Sequence, residues 1–222
     1  LFLIPFLFAG KTTIFAPQKK CLLTMQTARV ILLPEQLNLV LERLCYQLIE
    51  DYDDFTDVYI IGIQTGGVRL ATYLLDRLAQ ITGKPKSDFP FGKLDITFYR
   101  DDFRTRKKPL SAHAMEMPFI IEDKKVLLID DVVYSGRSVQ AAMTALTHYG
   151  RPSSVRLLTM VDRRFHREIP VHPDYVGVVV DALDDAYVRV ERMGAGFQLV
   201  LDIKNLDKNL PERCKIYFFN YF

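Results

Sequence analysis

Cysteine, net charge and long apolar runs are all scarce in this sequence, and each shortage closes off a class of protein. The three cysteines in 222 residues, Cys21, Cys45 and Cys214, are odd in number and share no C-x-x-C spacing. That argues against a disulfide framework and against a zinc site, and it fits a reducing cytoplasm. His113, His148, His166 and His172 show no metal-ligand spacing and stand beside no recognisable serine or cysteine nucleophile. With 29 basic and 27 acidic side chains the formal net charge is only +2. The surface as a whole is therefore no polyanion binder, and any nucleic-acid contact must be local. Residues 1–10 are almost wholly apolar but lack the basic flank of a signal peptide and are too short to span a bilayer. No internal repeat and no low-complexity tract is present.

What is there, 49% hydrophobic and 25% charged residues, fits one globular domain with a substantial core. Met25 stands just before the first segment that reads as folded, residues 29–33. Residues 1–24 are therefore expected to be a non-native or disordered extension, and residues 25–193 the domain. Residues 194–222, with Gly194-Ala195-Gly196 and an aromatic-rich end, are expected to be a tail with no evident place in a sheet.

From Pro34, apolar residues recur at helical spacing (Leu37, Val40, Leu41, Leu44, Leu48 and Ile49) as far as Glu50. Val58–Ile63 is a β-branched run entering a Gln64-Thr65-Gly66-Gly67 turn, and Leu70, Ala71, Leu74, Leu75 and Leu78 then predict a helix stopped by Gly83. Residues 94–99 read as a strand by alternation, and residues 100–122 as a polar candidate lid, long for a connection. Residues 126–129 predict an apolar strand running into an acidic pair, a Ser-Gly turn and a helix over residues 137–149 closed by Gly150. Residues 155–161 and Tyr175–Val180 predict two more strands. Strands alternating with helices imply an α/β fold with a mostly parallel central sheet flanked by helices. Ligands of such sheets bind beyond the carboxyl ends of the strands. Residues 64–67, 130–138 and 162–164 each follow a predicted strand and should share that edge.

The chemistry concentrates in Asp130-Asp131-Val132-Val133-Tyr134-Ser135-Gly136-Arg137-Ser138. Adjacent carboxylates repel unless a cation or several donors lie near, and vicinal ribose hydroxyls with a magnesium ion supply both. A few residues on, Gly136 allows close backbone approach. Two hydroxyls and the free N–H groups of a first helical turn suit a phosphate monoester. A strand-end turn with Ser135 as an ordinary cap is the plain alternative for each residue alone. Competing phosphate loops, G-x-x-x-x-G-K-[ST] and G-x-G-x-x-G, are absent.

Residues 126–138 resemble the phosphoribosyl pyrophosphate (PRPP) signature of type I phosphoribosyltransferases. Within them the sequence most resembles the PyrR family, the bifunctional pyrimidine-operon attenuation regulators and uracil phosphoribosyltransferases. Residues 62–67, 94–102, 150–154 and 161–164 match the same family in order, and the likeness covers about residues 29–191. It implies the type I phosphoribosyltransferase fold with a small hood, and conversion of uracil and PRPP to UMP and pyrophosphate with magnesium. It also implies dimers or tetramers, a cytoplasmic protein, no membrane partner, and UMP- or UTP-dependent binding of pyrimidine-operon mRNA.

By this resemblance Asp130, Asp131 and Arg100 are catalytic, and Thr65 and Gly66 join residues 130–138 in holding PRPP. Asp101 and Asp102 position magnesium through water or substrate. Val161, Asp162 and Arg163 lie at the uracil edge, while Arg43, Arg164, His166 and Arg167 are candidate RNA contacts. One departure stands out: members often carry arginine where this chain has Gly66, and Arg69 one turn on is a substitute. A purine or orotate phosphoribosyltransferase, or a catalytically weak nucleotide-sensing RNA-binding regulator, would keep the same PRPP loop.

Overall fold

The computed structural model describes residues 28–101, 115–181, 186–193 and 196–203. Residues 1–24, Asp102, most of the expected lid and the end of the expected tail lie outside them.

Strand β1 (Ala28–Leu32) leads into helix α1 (Pro34–Tyr52), then β2 (Val58–Ile63), α2 (Gly66–Thr82) and β3 (Phe91–Leu94). After the lid segment come β4 (Lys125–Val133), α3 (Arg137–Leu146), β5 (Ser154–Arg163), β6 (Tyr175–Val180), β7 (Ala186–Met193) and β8 (Gly196–Ile203). The termini of the helices follow from local chemistry. Pro34 opens α1, where the Leu33 N–H donates to Gln36 Oε1 at 3.0 Å. Gly83 closes α2 in the left-handed conformation, φ 69°.

Five parallel strands lie in the order β3-β2-β4-β5-β6. Adjacent strand residues face opposite sides of a sheet, so β2 sends Ile60 into one core and Ile61 and Ile63 into the other. The first core packs Leu41, Leu44, Leu48, Leu74 and Leu78 of α1 and α2 against the sheet, and the second packs Val139, Ala142 and Leu146 of α3. Both faces are covered, which is why these strands read as continuous apolar runs.

Three expectations change. The strand expected over residues 94–99 ends at Leu94, because the buried Asp95 carboxylate accepts the N–H and hydroxyl of Thr97 at 2.8 and 2.6 Å. That side-chain bonding replaces strand pairing with a 3-10 turn over Thr97–Tyr99. Strand β4 does not stop at Ile129: pairing continues through Val132↔Val161 and Val133↔Asp162, so the acidic pair belongs to the strand. The boundary expected after Met193 cuts a hairpin, since β8 pairs antiparallel with both β7 and β1 in a second, three-stranded sheet. This small sheet is the hood, with Val188 and Leu199 buried in the α1–α2 core.

Candidate active site

Strands β2, β4 and β5 are neighbours and parallel, so their carboxyl ends bring residues 64–67, 130–138 and 162–164 to one edge as expected. The Gln64–Thr65 peptide is cis. Beyond it the start of α2 presses against β4: a β-carbon at Gly67 would lie on the carbonyl oxygen of Ile129, and one at Gly66 on the carboxylate of Asp131. Close approach to backbone thus imposes glycine at position 67, whereas at position 66 the obstacle is a side chain that can move. Asp131 takes the space an arginine at position 66 would need.

Asp130 is buried, and its Oδ1 accepts the Asp131 N–H at 2.9 Å. Burial, then the charge of Asp131, raises its carboxyl well above the ordinary 3.8, with Arg100 pulling the other way. Asp131 is half-buried and accepts the Val132 N–H at 2.9 Å. Such a pair suits a hard cation that takes its other ligands from water and substrate phosphates. Among the described residues no group of three or more His, Cys, Asp or Glu forms a closed metal cage.

Past Val133 the chain turns through Tyr134 and Ser135 into Gly136, whose φ of 90° starts α3. Arg100, from the base of the lid segment, donates to Ser138 Oγ at 3.3 Å, and Arg137 is ion-paired with Asp101 and Glu168. Asp101, expected near magnesium, is therefore engaged by Arg137.

The segment after β5 closes on this loop. Arg163 is buried with its guanidinium 4.0 Å from the Tyr134 ring centre. Arg167 pairs with the Asp162 carboxylate and donates to the Tyr134 carbonyl at 2.6 Å. Val161 is fully buried within the sheet. Of the three residues expected at the base edge, two side chains thus support the loop from below. Among the expected RNA contacts, Arg43 donates to the carbonyls of Val176 and Gly177 at 3.0 and 2.7 Å, and Arg164 makes a two-point pair with Asp181. Exposed His166 has φ 65°. The arginines at 164 and 167 are neutralised locally.

Sequence reasoning missed the hood's share. A narrow crevice of about 10 Å³, room for roughly one water molecule, is lined by Gly66, Arg69, Leu70 and Asp131 below and by Met160, Val190 and Phe197. Phe197 packs edge-on to Tyr73 at 5.4 Å, and the Tyr73 hydroxyl donates to Asn38 at 2.8 Å. Alternation in residues 186–203 was the available signal, obscured by the intervening glycines.

Residues 32–196 match the phosphoribosyl transferase domain family. The chain is 41% identical over 160 residues to the bifunctional protein PyrR of Synechocystis sp., covering 72% of this chain and 87% of the relative. To the bifunctional protein PyrR of Elusimicrobium minutum it is 35% identical over 175 residues, 78% and 96% of the two chains. The hypoxanthine phosphoribosyltransferase of Trypanosoma cruzi superposes with a TM-score of 0.58 at 16% identity, covering 79% of this chain and 96% of that one. One from Staphylococcus aureus gives 0.54 at 20% identity, with 70% and 80% covered. At these identities the structural likeness is one of fold.

Proposed function

The chain belongs to the PyrR family of phosphoribosyltransferases, and from that premise we propose that it converts uracil and PRPP to UMP and pyrophosphate. One observation carries the reading: the acidic pair of β4, Asp130 buried and Asp131 half-buried, runs straight into a helix opened by Gly136, across from the Gly66–Gly67 turn. Ribose hydroxyls fit the carboxylates, a 5-phosphate the start of α3, and pyrophosphate the start of α2.

In the reaction the bond from ribose C1 to pyrophosphate breaks and a bond from C1 to a uracil nitrogen forms. That nitrogen's proton passes to the released pyrophosphate, and positive charge builds transiently on the ribose. Asp130 and Asp131 orient the sugar and stabilise that charge. Arg100 and the Thr65–Gly66 backbone hold the leaving group. Val190 and Phe197 of the hood, beside Gly66 and Asp131, shield the reacting centre from water. Asp130 and Asp131 would hold magnesium arriving with PRPP, and the ion would offset the charge of the pyrophosphate. Resemblance assigns Val161, Asp162 and Arg163 to the base edge and Asp101 and Asp102 to the magnesium waters, although Asp162, Arg163 and Asp101 are engaged by Arg167, Tyr134 and Arg137.

The name bifunctional, shared by the relatives, supports a second activity: UMP- or UTP-dependent binding of pyrimidine-operon mRNA by a homodimeric or homotetrameric cytoplasmic protein. Of the expected contacts Arg43, Arg164, His166 and Arg167, the last is turned inward to Asp162 and the Tyr134 carbonyl, which leaves Arg43, Arg164 and His166 as the candidates. No helix among the described residues is long and apolar enough to cross a membrane.

The decisive experiment is PRPP consumption with uracil, hypoxanthine, adenine and orotate offered side by side, with and without magnesium. Uracil alone should be turned over, and only with magnesium. Turnover of a purine or orotate in place of uracil would overturn the assignment, and release of no pyrophosphate at all would leave the regulatory activity only.

A further inference from the structure

We infer that Arg167 is a positioning residue for the phosphate cradle, aiming backbone donors at the 5-phosphate of the sugar. The inference rests on reading residues 130–138 as the ribose-phosphate site. The Tyr134 carbonyl accepts from Arg167 Nη1 at 2.6 Å. The Ser135 carbonyl accepts the N–H groups of Glu168 and Ile169 at 3.0 and 2.9 Å. Both loop peptides are trans, and in a planar trans peptide the C=O and the following N–H point in opposite directions. Drawing the two carbonyls toward residues 167–169 therefore turns the N–H groups of Ser135 and Gly136 the other way. Successive N–H groups facing one side make an anion-binding concavity.

Arginine suits the task because its planar fork serves two acceptors at once. While Nη1 holds the loop, Nη2 holds the Asp162 carboxylate. Asp162 sits on β5 opposite Val133 of β4, so the guanidinium braces the loop against the strands that carry it. The side chain is 18% exposed, and its donors face inward rather than toward a polyanion. Ile169 completes the clamp, its β-carbon lying 3.0 Å from where a side chain at Gly136 would begin.

The test compares Arg167→Gln and Arg167→Lys with the wild-type chain by calorimetric titration of ribose 5-phosphate and, separately, inorganic pyrophosphate. Pyrophosphate reports on the Thr65–Gly66 turn, which Arg167 does not touch, so a general loosening of the fold would weaken both ligands. Arg167→Gln is expected to weaken ribose 5-phosphate about 10- to 100-fold, the worth of a charged hydrogen bond. Pyrophosphate should stay within about twofold. Arg167→Lys, able to reach one acceptor, should fall between. Ribose 5-phosphate affinity unchanged in the glutamine variant overturns the assignment, as does equal weakening of both ligands. If that variant does not fold, the lysine variant decides by the same two constants. A wild-type chain that binds pyrophosphate but no ribose 5-phosphate removes the underlying site reading, and this assignment with it.

Discussion

The carboxylate of Asp131 stands where a β-carbon at Gly66 would begin. At Gly67 the obstacle is instead the backbone carbonyl of Ile129, so the two glycines separate function from stability. A short side chain can swing aside; a strand backbone cannot. Gly66→Ala is expected to cost less than about 1 kcal/mol of stability. By moving Asp131 it should lower kcat/KM for PRPP about 100-fold. Gly67→Ala should destabilise by about 1–3 kcal/mol. Gly66→Arg, although closer to relatives by resemblance, should impair PRPP use rather than improve it. Urea unfolding alongside UMP formation checks all three, and wild-type activity in Gly66→Ala would mean that the position of Asp131 is immaterial.

Asp130 carries a stability cost that pH exposes. Its carboxyl is raised above 3.8, chiefly by burial and then by Asp131. A group that binds its proton more tightly when folded favours the fold at low pH, and that advantage is lost as pH rises from the unfolded toward the folded pKa. Asp130→Asn keeps the size and can still accept the Asp131 N–H, but carries no charge. Its melting temperature should exceed wild type by about 2–4 °C at pH 7.5. The gap should close by pH 4, and turnover should collapse at both. Equal melting curves at pH 7.5 would contradict the burial cost.

Much of this architecture was readable because parallel strands covered on both faces leave an unbroken apolar signature. Val58–Ile63 and Tyr175–Val180 were placed to the residue, and the three edge segments converged as expected. Where the sequence misled, a local side chain or a distant partner decided the outcome. Asp95 captures Thr97 and ends β3 early, an event invisible to alternation. Strand β8 pairs with its neighbour β7 but also with β1, at the far end of the chain, and that second relation lies in no window of neighbouring residues. Arginines 164 and 167 read as candidate RNA contacts, and only the fold sets Asp181 and Asp162 beside them.

A polar cluster at the opposite edge of the sheet should matter for stability alone. The buried Tyr175 hydroxyl donates to Asp51 at 2.6 Å, and Arg156 donates to both at 2.8 and 2.9 Å. Burial, then Asp51, raises the Tyr175 phenol further above its ordinary value, so it stays protonated throughout the working range. Tyr175→Phe removes one hydrogen-bonding group and leaves the Arg156–Asp51 pair. It should cost about 1 kcal/mol in urea unfolding, with KM for PRPP and uracil unchanged. A change in either KM would mean that the two edges of the sheet are coupled.

Phe197 distinguishes two locations for the base. Resemblance puts uracil against Val161, Asp162 and Arg163, yet Val161 is fully buried, Asp162 is held by Arg167 and Arg163 lies on Tyr134. The neighbouring pocket offers an apolar hood, Val190 and Phe197, above a polar floor that includes Arg69 and Asp131. The crevice holds about one water as it stands, and opening it would give a flat, half-polar base one apolar and one polar wall. Tyr73 fixes the Phe197 ring from the side, so the aromatic is already oriented before a ligand arrives. Phe197→Ala should raise KM for uracil about tenfold, in the range of one lost base–aromatic contact. KM for PRPP should rise less than KM for uracil, because the 5-phosphate end lies at the start of α3 and only the Gly66 and Asp131 end of the PRPP site borders this crevice. An unchanged uracil KM, together with a rise on substituting Val161, would return the base to the end of β5.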